Sequence, residues 1–279
     1  MLNFELLRVA IAVVFTAIAA YQDNKTSYVD DKVLYALVGA GLLLNVLSFD
    51  FAFFVSTLPA ALFIGVFGFV LWRRGSFGQG DVWLFLGLHL ILPEYPSFVQ
   101  LPLPSLPFVA SVFLASSVFS LFGSSAFYAA RLTRAKAFDK LRFASLVALS
   151  ASSVFFLYKT PLQPLAKLFF SLFVISSVFL ALFYRTIKEK VLIQWVSLKG
   201  VEDEDVLALE KLPSSFVKKH GLEKVVTKSV FQKLKALSKS GRMKKFPVFK
   251  NLIRFNPYVL AGLLVCLYAG DLLVWVLLG

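Results

Sequence analysis

Two carboxylates in this chain stand where a charge is expensive. Asp81 closes the tetrapeptide Gly78-Gln79-Gly80-Asp81 at the mouth of an apolar run, 82–92, and Asp23 follows another, 6–22. Two carboxylates brought close cannot both ionise easily, so the pair shares a proton. Such a dyad suits peptide hydrolysis: the ionised partner takes a proton from water while the neutral one protonates or hydrogen-bonds the scissile carbonyl. Gly78 and Gly80 permit the bends and close approaches that would set Asp81 against a neighbouring helix. The same residues also fit a plainer arrangement. Asp81 can cap the N-terminus of its helix, and Asp23 can be a solvated loop acid near Lys25, Asp30, Asp31 and Lys32. Residue types alone leave both readings open.

The elements that must carry these acids are apolar and long. Of the 279 residues, 58% are hydrophobic and 16% charged, with 31 Phe, against roughly half and a quarter in a soluble domain. The apolar residues fall in the runs 6–22, 33–49, 51–72, 82–92, 106–128, 143–158, 165–184 and 258–278, most of them long enough to span a bilayer as a helix. In lipid the backbone must satisfy its own polar groups, so the spans are helices. The fold class expected is an all-α polytopic membrane protein with about eight transmembrane helices, six to eight. A tight hairpin is expected at Asp50 and a second at Thr160-Pro161.

One sizeable polar stretch interrupts this pattern. It opens on a β-like run, 191–196, passes an acidic turn, 202–205, and continues with Val230, Phe231, Leu234 and Leu237 at helical spacing before Gly241. A small α+β cytoplasmic module is expected there. The domain division is therefore 1–184, a membrane core holding the site; 185–256, a basic module; and 257–279, a final helix.

Charge orients the chain. The net charge is +13, and 26 of the 29 Lys and Arg lie in alternate loops: Lys25 and Lys32, then Arg73 and Arg74, then Arg131 to Arg142, then the stretch from Arg185 to Arg254. The positive-inside rule puts those loops in the cytoplasm and both termini outside. Asp23 and Asp81 then share the cytoplasmic boundary. Lysine density also holds the module near anionic lipid headgroups, which accounts for the charge without nucleic acid. The single Cys266 permits no intrachain disulfide, and two histidines, His89 and His220, exclude a His-rich metal site. No metal or cofactor is expected. Ala17-Ile18-Ala19 resembles a cleavage site, but the start offers Glu5 and Arg8 instead of a basic region, so 6–22 is read as the first helix. His89 is read as a polar packing residue and Asp271 as an interhelical hydrogen-bonding residue. Asp30 and Asp31 are candidate contacts for a basic substrate segment, the alternative being a solvated turn.

Three segments carry a family resemblance. They are Gln22-Asp23-Asn24-Lys25-Thr26 with Val29 and Asp31; Phe77-Gly78-Gln79-Gly80-Asp81 with Leu92-Pro93; and Phe255-Asn256-Pro257-Tyr258 with Gly262 and Gly270-Asp271. Together they resemble the archaeal preflagellin and prepilin peptidases, the class III signal peptidases of the GxGD aspartic protease group. The resemblance implies that Asp23 and Asp81 are the catalytic pair. It also implies substrates that are archaellin or type IV pilin-like precursors, cut between a short basic leader and a hydrophobic helix at the cytoplasmic face of the cell membrane. Trp83, Ser27 and Tyr28 depart from the family pattern, and 100–184 matches none of it. The competing readings are a presenilin-like intramembrane protease, a proton-coupled transporter using Asp23, Asp81, Asp271 and His89, and a non-catalytic scaffold of a pilus or secretion system.

Overall fold

The computed structural model describes residues 4–48, 51–75, 77–99, 107–202, 205–241 and 243–278. Helices dominate: α1 (Glu5–Thr26), α2 (Asp31–Ser48), α3 (Phe51–Arg73), α4 (Gln79–Ile91), α5 (Phe108–Arg134), α6 (Lys140–Lys159) and α7 (Pro164–Ile187). Then come β1 (Ile193–Val196), β2 (Val206–Leu207), α8 (Ser214–His220), α9 (Lys228–Lys239), β3 (Phe246–Phe249), α10 (Asn256–Ala269) and α11 (Leu272–Leu278). The hairpin expected at Asp50 lies outside the described residues.

Five helices are long and apolar enough to cross a membrane: α1, α2, α5, α6 and the segment Pro164–Leu192, in which α7 runs on through a π-helical turn. The eight apolar runs thus yield five helices of span length among the described residues. Thr57–Arg73, the greater part of α3, and α10 are shorter apolar helical stretches. The run 258–278 was expected to form one helix and forms two. Gly270 takes φ +76°, a backbone state open to glycine. Asp271 then restarts the chain by accepting the N–H groups of Leu273 and Val274 at 2.9 and 3.1 Å, the N-cap geometry that satisfies orphan donors. Its Oδ2 accepts the Ser111 hydroxyl at 2.5 Å, and Ser111 in turn meets Tyr95. Asp271 is therefore the interhelical hydrogen-bonding residue the sequence suggests.

α4 is the hub. It packs against α1, α2, α3 and α5, and Leu84, Leu88 and Ile91 on it are fully buried. A helix apolar on all sides belongs in such an interior. Glycines let α2 approach it: a Cβ on Gly41 would stand 2.7 Å from Leu90 Cβ, and one on Gly87 would stand 2.7 Å from Leu37. α10 approaches α5 in the same way. A Cβ on Gly262 would come within 2.8 Å of the Ser116 backbone N and 3.0 Å of the Val112 carbonyl oxygen. Backbone cannot yield as a side chain can, so Gly262→Ala is expected to part the two helices. Overpacking of this kind costs about 1–3 kcal/mol, to be seen as a lowered thermal unfolding midpoint in detergent. An unchanged midpoint would show that the crossing is looser than this.

The polar stretch forms its own small unit. Its antiparallel sheet has the order β1-β3-β2, with Ile193 opposite Phe249 and Leu207 opposite Val248. Val230, Leu234 and Leu237 of α9 pack on Leu207, Phe246 and Val248, as the helical spacing predicts. Thr227 caps α9. Lys250 pairs with Asp205 and Glu202 at 2.9 and 3.0 Å. Burial alone would lower its ammonium, but the two carboxylates outweigh this and hold it above its usual range. The unit touches two of the basic loops. Lys224 Nζ donates to the Arg74 carbonyl at 3.0 Å, and Arg254 donates to Ser27 Oγ and Asn24 Oδ1 at 3.2 and 3.4 Å.

Candidate active site

Asp23 sits in the last turn of α1 and is only 7% exposed. The helix ends just beyond it because Ser27 takes a left-handed conformation, φ 59°, and returns its N–H to the Asp23 carbonyl at 2.8 Å. Gln22 Oε1 accepts the Asp30 N–H at 2.9 Å, folding the short loop back on the helix. The Asp23 carboxylate is held from the far end of the chain. Its Oδ2 accepts the backbone N–H of Asn256, the first residue of α10, at 3.0 Å.

Asp81 sits in the first turn of α4 and is half-buried. Gly78 precedes that helix at φ −73°, ψ 145°, an extended conformation that any residue adopts. The glycine is needed for space. A Cβ at residue 78 would stand 2.8 Å from Asp81 Oδ2, so the carboxylate folds back over the bare Cα. Gly80 faces Leu34 of α2, at 3.6 Å from its own would-be Cβ.

Two sets of contacts relate the acids. First, α1 and α4 run antiparallel. Near the start of α1, Arg8 donates to the Ile91 carbonyl at the end of α4, at 2.9 Å, and to Asn45 and Ser48 of α2. From that contact Asp23 lies about 22 Å along α1 and Asp81 about 15 Å along α4, at 1.5 Å per residue. Both acids therefore lie toward the same end of the bundle. Second, the residues next to their anchors pack together. Phe77, beside Gly78, and Phe255, beside Asn256, have ring centroids 6.0 Å apart, and both contact Phe85 of α4 at 6.3 and 6.2 Å. Phe113 of α5 closes the cluster against Phe77 and Phe85. Edge-to-face rings at these separations add about 0.5–1.5 kcal/mol per pair beyond burial, enough to fix the entries to α4 and α10 relative to each other.

The other sequence candidates divide. Asp30 caps α2, its Oδ1 accepting the Lys32 N–H at 2.9 Å, and Asp31 opens that helix. The Gln22 bond ties the Asp30 backbone to the residue beside Asp23. His89 is buried two turns into α4, with Nε2 at 3.0 Å from the Thr57 carbonyl oxygen of α3. It packs there, as expected, and lies away from the first turn. Among the described residues, no group of three or more His, Cys, Asp or Glu could hold a metal ion. Sequence reasoning missed Asn256 and Arg254 as neighbours of Asp23. An Asn-Pro pair after a basic residue, just before an apolar run, was the available signal for a helix start facing the basic loops.

The comparisons with known proteins fall on the same part of the chain. Residues 10–127 match the model of the type IV leader peptidase family. The prepilin peptidase EppA of Methanothermobacter thermautotrophicus is 34% identical over 100 residues, which covers 34% of this chain and 26% of that protein. The chain thus spans about a quarter of the length of the curated relative it matches. No solved structure matches it. The segment that matches the type IV leader peptidase family, residues 10–127, is the one that carries both Asp23 and Asp81.

Proposed function

We propose that this chain is a membrane-embedded aspartic endopeptidase that removes the short basic leader from archaellin or type IV pilin-like precursors. The observation that carries the reading is the antiparallel pairing of α1 and α4, with a carboxylate on each at one end of the bundle. The family match over that segment supports it. In the mechanism, Asp23 serves as the base, its Oδ2 oriented by the Asn256 backbone N–H. It takes a proton from water as the water oxygen bonds to the scissile carbonyl carbon. Asp81, neutral, gives its proton to the carbonyl oxygen. As the tetrahedral diol collapses the C–N bond breaks, the proton on Asp23 passes to the leaving amine, and one diol hydroxyl returns its proton to Asp81 as the new carbonyl forms.

In this reading the site acts at the cytoplasmic face of the cell membrane, and the Lys and Arg of the alternate loops support that side for Asp23 and Asp81. There the precursor's hydrophobic helix lies in the bilayer and presents the bond that precedes it. Asp30 and Asp31 receive the basic leader. In this reading residues 1–184 form the membrane core, 185–256 the cytoplasmic module against anionic headgroups, and 257–279 the last membrane element, with up to eight apolar helices in the bilayer. The test is to incubate membranes bearing the chain with archaellin and pilin-like precursors and to sequence the product N-terminus. Cleavage just before the hydrophobic helix is expected. Failure to shorten any such precursor overturns the proposal.

A further inference from the structure

We infer that Asn256 is a positioning residue of this site, whose side-chain carboxamide holds the attacking water against Asp23. The inference rests on the peptidase reading above. Asn256 is 4% exposed and opens α10, and its N–H binds Asp23 Oδ2. Any residue except proline could supply that N–H, so the backbone bond does not explain an asparagine. The side-chain amide also hydrogen-bonds the same carboxylate, which accounts for its donor end but not for its oxygen. Its Oδ1 is buried with no hydrogen-bond partner among the described residues. A buried acceptor left unmade costs about 1–3 kcal/mol, and such groups in native structures call for an explanation.

A water beside this pair, reaching both the Asp23 carboxylate and Asn256 Oδ1, provides it. One hydrogen points to the Asp23 carboxylate and the other to Asn256 Oδ1, which leaves the oxygen lone pairs facing the scissile carbonyl. On attack the O–H bond toward Asp23 breaks and the O–C bond forms. The hydrogen held by Asn256 stays on the oxygen. Asn256 thus fixes the direction of attack and takes no proton. Phe255, next to it and packed on Phe77 and Phe85, fixes the start of α10 relative to Asp81's helix.

The full-length chain in detergent, with a pilin-like precursor, tests this with Asn256→Leu, Asn256→Ser, Asp23→Asn and Asp81→Asn. Asn256→Leu keeps shape and backbone N–H but has neither the acceptor nor the amide donor to Asp23. Its kcat is expected to fall roughly 10²-fold, the scale of a misplaced reactant. KM should stay unchanged, because the residue holds water and not precursor. Asn256→Ser restores an acceptor oxygen and should recover part of the lost kcat. If Asn256→Leu fails to insert, Asn256→Ala carries the same kcat test. Wild-type kcat in Asn256→Leu beside dead aspartate variants overturns the inference alone. Equal losses in Leu and Ser variants, with a lowered unfolding midpoint, overturn it as well, since they mark a purely structural asparagine. Active aspartate variants overturn the peptidase site beneath it.

Discussion

Asp81→Asn and, separately, Asp23→Asn are each expected to reduce precursor processing by roughly 10²–10⁴-fold, the range that acid–base groups contribute. Asparagine keeps the shape and most hydrogen bonds of aspartate but can neither take nor give the proton. The Asn256 N–H can still donate to an amide oxygen at residue 23, so α10 should stay where it is. Both variants should therefore insert and unfold near the wild-type temperature. The double variant is the sharper measurement. Residues that act as a unit lose their whole contribution when one is removed, so Asp23→Asn with Asp81→Asn should be no slower than either alone. Two losses that multiply would mean the aspartates act independently, and the shared-proton mechanism would have to be abandoned.

What the sequence conveyed about this site and what it withheld follow from the range of each signal. Apolar runs specify helices locally, and their boundaries came within six residues from 6–22 to 165–184, the widest miss being the end of α5 at Arg134. Alternating Lys and Arg led to the expectation that Asp23 and Asp81 share one side of the membrane, before any contact was known. The grip on Asp23 could not be read in this way. It comes from a backbone N–H 233 residues away, and a backbone donor leaves no mark in residue type. The break at Gly270-Asp271 was legible in principle, because a glycine followed by a capping acid is a helix boundary. Inside an unbroken apolar run the hydropathy outweighed it. Gly78 shows a third limit. The sequence marks a glycine but does not say whether φ or space requires it, and here a φ of −73° assigns it to space.

That distinction gives the prediction with the next largest effect. Gly78→Ala meets no backbone penalty, and its cost as a helix cap is about 1 kcal/mol at most. The added Cβ would nonetheless stand 2.8 Å from Asp81 Oδ2 and 3.4 Å from its Cγ. A flexible carboxylate relieves such a clash by turning away, which costs the fold little and the chemistry much. Displacement of a reacting group by about 1 Å lowers the rate on the order of 10²-fold. Gly78→Ala should therefore insert normally, unfold within a few degrees of wild type and process precursor about 10²-fold more slowly, as read by kcat. Gly80→Ala provides the contrast. Its Cβ would meet Leu34 at an ordinary 3.6 Å, and alanine is the better helix former by about 1 kcal/mol. Its unfolding midpoint should equal or exceed the wild-type value, so any loss of processing in that variant belongs to the approach of the precursor and not to the fold. Wild-type kcat in Gly78→Ala would mean that the working Asp81 carboxylate points away from Gly78, and the first glycine of the tetrapeptide would need another explanation.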